Sequence, residues 1–348
     1  MTTDPAEGPS LGELIALAVA RALTVEEAER AFGEVMAGRA SQVQVAALLA
    51  ALRARGEAAT EIAGGVRALR GAMIPVVSTD LAVTDTCGTG GGLLTTFNIS
   101  TAAALVAAGA GARIAKHGNR SFTSRCGSAD VLEALGVRIE LSAEAMAEVL
   151  DRTGIVFMFA PLLHPAMRHV APVRRELGIS TIMNLLGPLT NPAGARRQVV
   201  GVADPRLLEL VAHGLRELGH EHVLVVHGAP GMDELSPVGE TDVLELRHGE
   251  VRRLRLEPAA FGWSGFALED LAGGSPEENR KLVVQILAGN GPPGARAAVA
   301  LNAGAALYVA GVADSIADGI LRAEQALDAG SAAAKLDELR EVSESAGR

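Results

Sequence analysis

The apolar pattern of this chain changes its period once, near Pro75, and that change limits what the chain can fold into. From Leu11 to about Ala72 apolar residues recur at helical spacing, with no strand between them. Thr24 with Glu27, and Ser41 with Gln44, have the spacing of a capping box, and Gly56 stands where a helix should stop. The segment predicts four short helices forming a small helical domain. After Pro75, short apolar runs alternate with helical ones. Strands are expected at Leu81–Thr86, Ala112–Ala115, Val137–Leu141, Ile155–Ala160, Gln198–Val202 and His222–Val226, and a hairpin at Asp242–Leu246 and Val251–Leu256. Helices are expected at Ala102–Ala110, Ser128–Leu135, Ser142–Thr153 and His164–Gly178, with another introduced by Asp204 and Pro205. Asn184–Ala193 reads as a Pro/Gly-rich connection. Such alternation predicts an α/β fold with a mostly parallel central sheet covered by helices on both faces.

With 348 residues, 49% of them hydrophobic, the chain can bury a large core and fits two domains. One Trp, one Tyr and seven Phe leave that core to aliphatic residues and supply few stacking platforms for single-stranded nucleic acid. A net charge of −10 also makes a poor sequence-independent DNA binder. Cys87 and Cys126 cannot build a disulfide framework, which fits a reducing, cytoplasmic setting. No signal peptide or membrane span is expected from the sequence.

Five constellations carry possible chemistry. The first is Asp85-Thr86-Cys87-Gly88-Thr89-Gly90-Gly91-Gly92 at a strand end. Clustered glycines let backbone N–H groups approach an anion, and a following helix N-terminus adds its dipole; a flexible turn is the alternative. The run is neither a Walker loop nor a dinucleotide fingerprint. The second is Asn98-Ile99-Ser100-Thr101, fit either to cap a helix or to serve a phosphate or hydrated metal. The third is the loop Lys116–Ser124. No acidic residue occurs between Asp85 and Asp130, while Arg113, Lys116, Arg120 and Arg125 do, which reads as an electropositive island for a polyanionic ligand at the carboxyl edge of the sheet. His117 alone fits a buried, hydrogen-bonded role as well as a catalytic one. The fourth is Asp233-Glu234, a solvated acidic turn or a Mg2+ site bridged to substrate phosphates. The fifth is Arg174, either an exposed helical residue or a fork for a carboxylate.

Read together, these segments resemble the anthranilate phosphoribosyltransferases of tryptophan biosynthesis. The resemblance rests on Gly88–Gly91 with Thr96–Thr101, Lys116–Ser121, Gly127–Gly136, His164–Met167, Val170–Arg174, Asn184–Pro192 and Asp233-Glu234, in the family's order and across nearly the whole chain. It implies a discontinuous all-helical domain, residues 1–75 plus about 163–190, hinged to a larger α/β domain, about 76–162 plus 191–348. It further implies a homodimer formed through the helical domains and two Mg2+ per subunit. The reaction would transfer the phosphoribosyl group of 5-phosphoribosyl 1-diphosphate to the amine of anthranilate. By the family pattern, Gly88, Gly91, Gly92, Thr96, Asn98, Ile99, Ser100, Thr101, Lys116, His117, Gly118, Asn119, Arg120, Ser121, Phe122, Thr123, Ser124 and Ser128 would hold the donor. Gly88, Asn119 and Arg174 would hold anthranilate, and Ser100, Asp233 and Glu234 the metal. No residue is expected to act as a strong acid or base. Gly92 stands where the family usually has Asp, Leu93 replaces a usual Gly, and Ser180 and Met183 replace a common Arg and Phe. A pyrimidine nucleoside phosphorylase-like enzyme and a non-enzymatic nucleic-acid-binding relative are the alternatives.

Overall fold

A computed structural model describes residues 8–79, 82–90, 94–121 and 125–347. Four helices come first: α1 (Leu11–Ala20), α2 (Val25–Met36), α3 (Gln42–Arg55) and α4 (Ala59–Ala72). The expected caps form: Thr24 and Glu27, and Ser41 and Gln44, each bond reciprocally across the first turn. The buried Glu61 carboxylate accepts from Arg55 and from the backbone N–H of Leu23 and Ala58, fastening the turns between the helices.

The rest alternates strand and helix. In order come β1 (Thr84–Gly88), α5 (Ile99–Gly109), β2 (Ile114–Gly118), α6 (Ser128–Ala134), α7 (Ala143–Thr153), β3 (Ile155–Phe159), α8 (Ala160–Leu163), α9 (Ala171–Leu177) and α10 (Ile182–Leu189). They are followed by β4 (Arg197–Gly201), α11 (Leu207–Glu217), β5 (His222–Gly228), β6 (Thr241–Arg247) and β7 (Glu250–Leu256). Four helices close the chain: α12 (Pro276–Leu287), α13 (Pro293–Ala310), α14 (Ile316–Asp328) and α15 (Ser331–Ala346). The seven strands form one sheet in the order β3-β2-β1-β4-β5-β6-β7. The first five are parallel, and the hairpin adds β6 and β7 antiparallel at the edge. This is the expected mostly parallel sheet with a helical bundle at the N-terminus.

Strand order places the functional crevice. After β1 the chain moves outward to β2 and β3, then crosses to β4 on the other side of β1. The switch point therefore opens at the carboxyl ends of β1 and β4, where ligands bind in open α/β sheets. The β3-to-β4 crossover carries α9 and α10 back against α3 and α4. Leu185, Leu186 and Leu189 of α10 are buried in one cluster with Phe32, Leu48 and Val66 of the bundle. That cluster continues under the sheet through Val200, Val223 and Leu208.

Several expected elements differ. Val137–Leu141 is not a strand of the sheet. Val137, Ile139 and Leu141 are buried in alternation, which produced the strand pattern, but the backbone runs beside α15, where Arg138 N–H donates to Ser343 Oγ. Residues 184–189 are helical instead of a Pro/Gly-rich connection, with Pro188 inside α10. The expected helix from His164 is a 3-10 turn over Pro165–His169 followed by α9, since Pro165 and Pro172 each begin a new segment. Strands β1 and β2 start three and two residues later than predicted and run into Gly88 and Gly118. The helix after β4 begins at Leu207, with Asp204 accepting the Arg206 N–H.

Candidate active site

A cavity of about 530 Å³ opens at the carboxyl edge of the sheet. One wall is the end of β1 and the start of α5: Gly88, Thr96, Asn98, Ser100 and Thr101. A second is the end of β2 and its loop, from Lys116 to Ser121, with Ser128 from α6. Asp233 and Glu234 form the floor, and Arg174, Met183, Asn184 and Pro188 of the crossover face them. The sequence-predicted residues thus converge on one cavity. Ile99 is the exception: its side chain is fully buried in the hydrophobic core, because the first turn of α5 turns that position toward the sheet. Gly91, Gly92, Phe122, Thr123 and Ser124, with Leu93, lie outside the described residues.

The acidic floor is built by close backbone packing. The Asp233-Glu234 loop follows β5 and folds back over the ends of β1 and β4. A Cβ at Gly201 would lie 1.5 Å from the Asp233 carbonyl oxygen, and one at Gly88 would lie 2.4 Å from Asp233 Oδ2. Only glycine admits that approach. Asp233 Oδ2 accepts the Gly90 N–H at 2.9 Å, and Thr89 N–H donates to the Gly201 carbonyl at 2.9 Å. Glu234 sits deeper. Burial, then the neighbouring Asp233, pushes its carboxyl well above the usual range, while Lys116 opposes the shift.

Lys116 is buried, and its ammonium donates to the Thr86 carbonyl and, at 3.3 Å, to Ser100 Oγ. Burial lowers its pKa while Asp85, more than the other acids, supports the charge. Asp85 is fully buried under the loops; it accepts the His117 N–H at 3.1 Å and Asn191 Nδ2 at 2.8 Å. His117 Nε2 lies 3.1 Å from His164 Nε2. Burial pushes these imidazoles down to about 3 and about 4, so the pair is neutral and shares one hydrogen bond.

The electropositive island of the sequence is largely dispersed. Arg120 pairs with Asp130 and Glu133 of α6 and lies over the Phe159 ring. Arg113, at the opposite end of β2, pairs with Asp151 at 3.3 Å. The cations left in the cavity wall are Lys116, Arg120 and Arg174. Arg174 is half-buried, and no carboxylate among the described residues lies within ion-pair distance of its guanidinium; burial alone lowers its pKa. A partly desolvated guanidinium without an acidic partner on a cavity wall is a ready fork for a carboxylate.

Sequence reasoning passed over three groups. His164 was hidden by an ordinary helical pattern. Gly201 and Gly228, ending β4 and β5, were the available signal for the loop that closes on them, since a Cβ at Gly228 would lie 2.3 Å from the Glu234 carbonyl oxygen. Asn279, on α12, donates to Asn98 Oδ1 at 2.9 Å and so fixes an amide that the sequence assigned to ligand or cap.

Comparison with known proteins agrees with this geometry. Residues 80–333 match the "Glycosyl transferase family, a/b domain", and residues 14–73 match its "helical bundle domain". The anthranilate phosphoribosyltransferase of Thermomicrobium roseum is 51% identical over 325 residues, covering 92% of this chain and 93% of the relative. That of Methylobacillus flagellatus is 49% identical, covering 93% and 95%. The chain belongs to the anthranilate phosphoribosyltransferase family. Among solved structures, the anthranilate phosphoribosyltransferase of Thermus thermophilus superposes with a TM-score of 0.90 at 44% identity, covering 95% of this chain and 99% of that one. The Saccharomyces cerevisiae enzyme, solved in complex with PRPP and Mg, gives 0.86 at 26% identity, covering 97% and 99%. Membership of this family favours the transferase over the phosphorylase-like and nucleic-acid-binding alternatives. Among the described residues no helix is long and apolar enough to cross a membrane.

Proposed function

We propose that the cavity holds 5-phosphoribosyl 1-diphosphate against the ends of β1 and β2 and anthranilate against α9 and α10. The observation that carries this reading is the position of Arg174, whose guanidinium has no carboxylate partner among the described residues and faces an acidic floor across a glycine-rich anion cradle. The donor's phosphates would meet the backbone N–H groups and hydroxyls of Gly88, Thr96, Ser100, Thr101 and the Lys116–Ser121 loop, and Arg174 with Asn119 would take the anthranilate carboxylate.

Two features fit a divalent cation at the floor. Asp233 and Glu234 are adjacent hard oxygen donors, and Ser100 Oγ lines the same cavity. No third His, Cys, Asp or Glu joins them among the described residues, so a cation there would complete its shell with water and donor phosphate oxygens, as Mg2+ does. Bound Mg2+, two ions per subunit on this reading, would supply charge neutralisation for the departing diphosphate. The protein's own part is positioning. The amine nitrogen forms the bond to ribose C1 as the C1–diphosphate bond breaks, and the nitrogen then loses a proton. An aromatic amine is unprotonated at neutral pH, so no strong base is needed. The neutral His117–His164 pair carries no charge that would compete with Arg174 for the carboxylate. Catalysis then rests on proximity and electrostatics.

Residues 1–75 with about 163–190 are taken as one body, hinged to the remainder, supported by the packing of α9 and α10 on the bundle. The bundle also exposes Val19 on α1 and Val43 on α3, which supports dimerisation through the helical domains. The test is loss of anthranilate fluorescence on adding donor and Mg2+. Retained fluorescence with a folded protein overturns the assignment.

A further inference from the structure

Asn302 stands on α13, outside every motif that points to the site. It is buried, at 5% exposure, and its amide is fully engaged. Oδ1 accepts the Leu235 N–H at 3.0 Å, while Nδ2 donates to the Leu235 carbonyl at 2.9 Å and to the Ala298 carbonyl at 2.9 Å. One side chain thus pairs with both backbone groups of the residue after Glu234, as a neighbouring strand would. The third bond ties that pairing to α13's own preceding turn.

Besides the Asp233 Oδ2 bond to the Gly90 N–H, which holds a side chain, the other anchors hold the backbone of the acidic loop and are local. Gly228 bridges to Met232, and Ser236 N–H donates to Thr241 Oγ1 at 3.0 Å. Both join the loop only to β5 and β6, the strands it connects. Among these backbone anchors Asn302 is the one that comes from an element distant in sequence, and α13 also packs on β1, β4 and β5. A residual cavity of about 10 Å³, room for a single water, is lined by Asn302, Asp233, Glu234 and Ser100. Asn302 therefore lies directly behind the carboxylates.

We infer that Asn302 is a positioning residue, whose two-sided bond to Leu235 sets the height of Asp233 and Glu234 over the strand ends and so the affinity of the site for the metal–donor complex. The inference rests on the proposed role of Asp233 and Glu234. An amide is required for it: a carboxylate would face the Leu235 and Ala298 carbonyls with no proton to donate, and an aliphatic chain would leave both backbone groups of Leu235 unpaired.

The test uses Asn302→Leu, which keeps the branched shape without the amide, and Asn302→Ser, which keeps a smaller hydroxyl, beside Asp233→Asn and the unsubstituted chain. Hydrogen exchange of the peptide covering residues 229–238 is read without ligand, and initial rates are read against Mg2+ and donor. Asn302→Leu should exchange the Leu235 amide at least ~10-fold faster. It should also raise the Mg2+ concentration for half-maximal rate ~10- to 100-fold, as loss of a group that orients a metal ligand does, with the anthranilate KM within ~2-fold. Asn302→Ser should fall between, and it decides the matter if the leucine variant does not fold. Faster exchange with unchanged Mg2+ and donor dependence, while Asp233→Asn alters both, overturns the inference and leaves the metal assignment standing. Unchanged dependence in Asp233→Asn as well removes the assignment and the inference with it.

Discussion

Asp233 Oδ2 accepts the amide hydrogen of Gly90 at 2.9 Å, joining the acidic loop to the glycine-rich loop across 143 residues of sequence. The carboxylate therefore has two separable properties, an acceptor that orders the glycine loop and a charge for a cation. Asp233→Asn keeps the first and removes the second. It should raise the Mg2+ requirement at least ~10-fold and leave the melting temperature nearly unchanged. Replacing Asp233 and Glu234 together by Ala should abolish turnover in a folded protein. Rates against Mg2+ with a circular-dichroism melt check this; a normal Mg2+ curve for Asp233→Asn removes the carboxylate from the metal site.

Arg174 has no acidic partner to lose among the described residues, so its substitution reports on ligand alone. A charge-assisted hydrogen bond is worth ~1.5–3 kcal/mol, and Arg174→Ala should raise the anthranilate KM by roughly 10- to 100-fold. The donor KM should stay within about twofold on the same scale. Arg174→Lys should recover only part, since a point charge does not reproduce the bidentate fork. A weakened donor KM instead would move Arg174 to the other subsite.

Two glycines give opposite outcomes under one substitution. Gly201→Ala places a methyl 1.5 Å from the Asp233 carbonyl oxygen, so the acidic loop must shift. The expected cost is ~1–3 kcal/mol in stability, with turnover falling further than the melting temperature suggests. Gly33, inside α2, has open space where a methyl would sit, with nothing within 4 Å, and Gly33→Ala should add ~0.5–1 kcal/mol. Denaturant midpoints for both variants, with rates, separate loop displacement from general strain. Wild-type turnover in Gly201→Ala would contradict the close packing.

His117 and His220 are buried and His164 is half-buried, and their imidazoles are held at about 3, about 3 and about 4, against 6.5 for a free imidazole. Between pH 6.5 and about 4 the unfolded chain binds more protons at these sites than the folded one, so they make stability fall as pH is lowered through that window. Asp85 and Glu234, raised by burial, act in the opposite sense, weakening the fold as pH rises above their unfolded values. His220 is remote from the cavity, bonded to the Leu215 carbonyl at 3.2 Å. His220→Gln should therefore flatten the acid limb of the stability curve by up to ~1.4 kcal/mol per pH unit. Urea midpoints at several pH values would show it; parallel curves for the two proteins would refute it.

The sheet, the bundle and most of the cavity wall were legible because each rests on local chemistry: capping boxes at Thr24 and Ser41, a change of period near Pro75, and loops of glycine and hydroxyl residues after short apolar strands. Val137–Leu141 misled because alternation reports burial, and a helix can bury one side of an extended segment as well as a strand does. Arg120 and Arg113 misled because charge counted along the chain ignores partners brought from α6 and α7. His164, Asn279 and Asn302 were illegible because their roles exist only across the tertiary contacts of elements far apart in sequence.

The crossover from β3 to β4 has an evolutionary consequence. The donor's proposed contacts come from the strand ends, whereas the proposed acceptor wall, Asn119 apart, lies within one excursion that leaves the sheet and returns to it. Ser180 and Met183, two departures from the family's habit, both fall in that excursion; Met183 is buried at the cavity wall and Ser180 is exposed. Selection can therefore remodel which nucleophile is admitted by editing a single contiguous stretch of gene, while the machinery that activates the sugar is inherited unchanged.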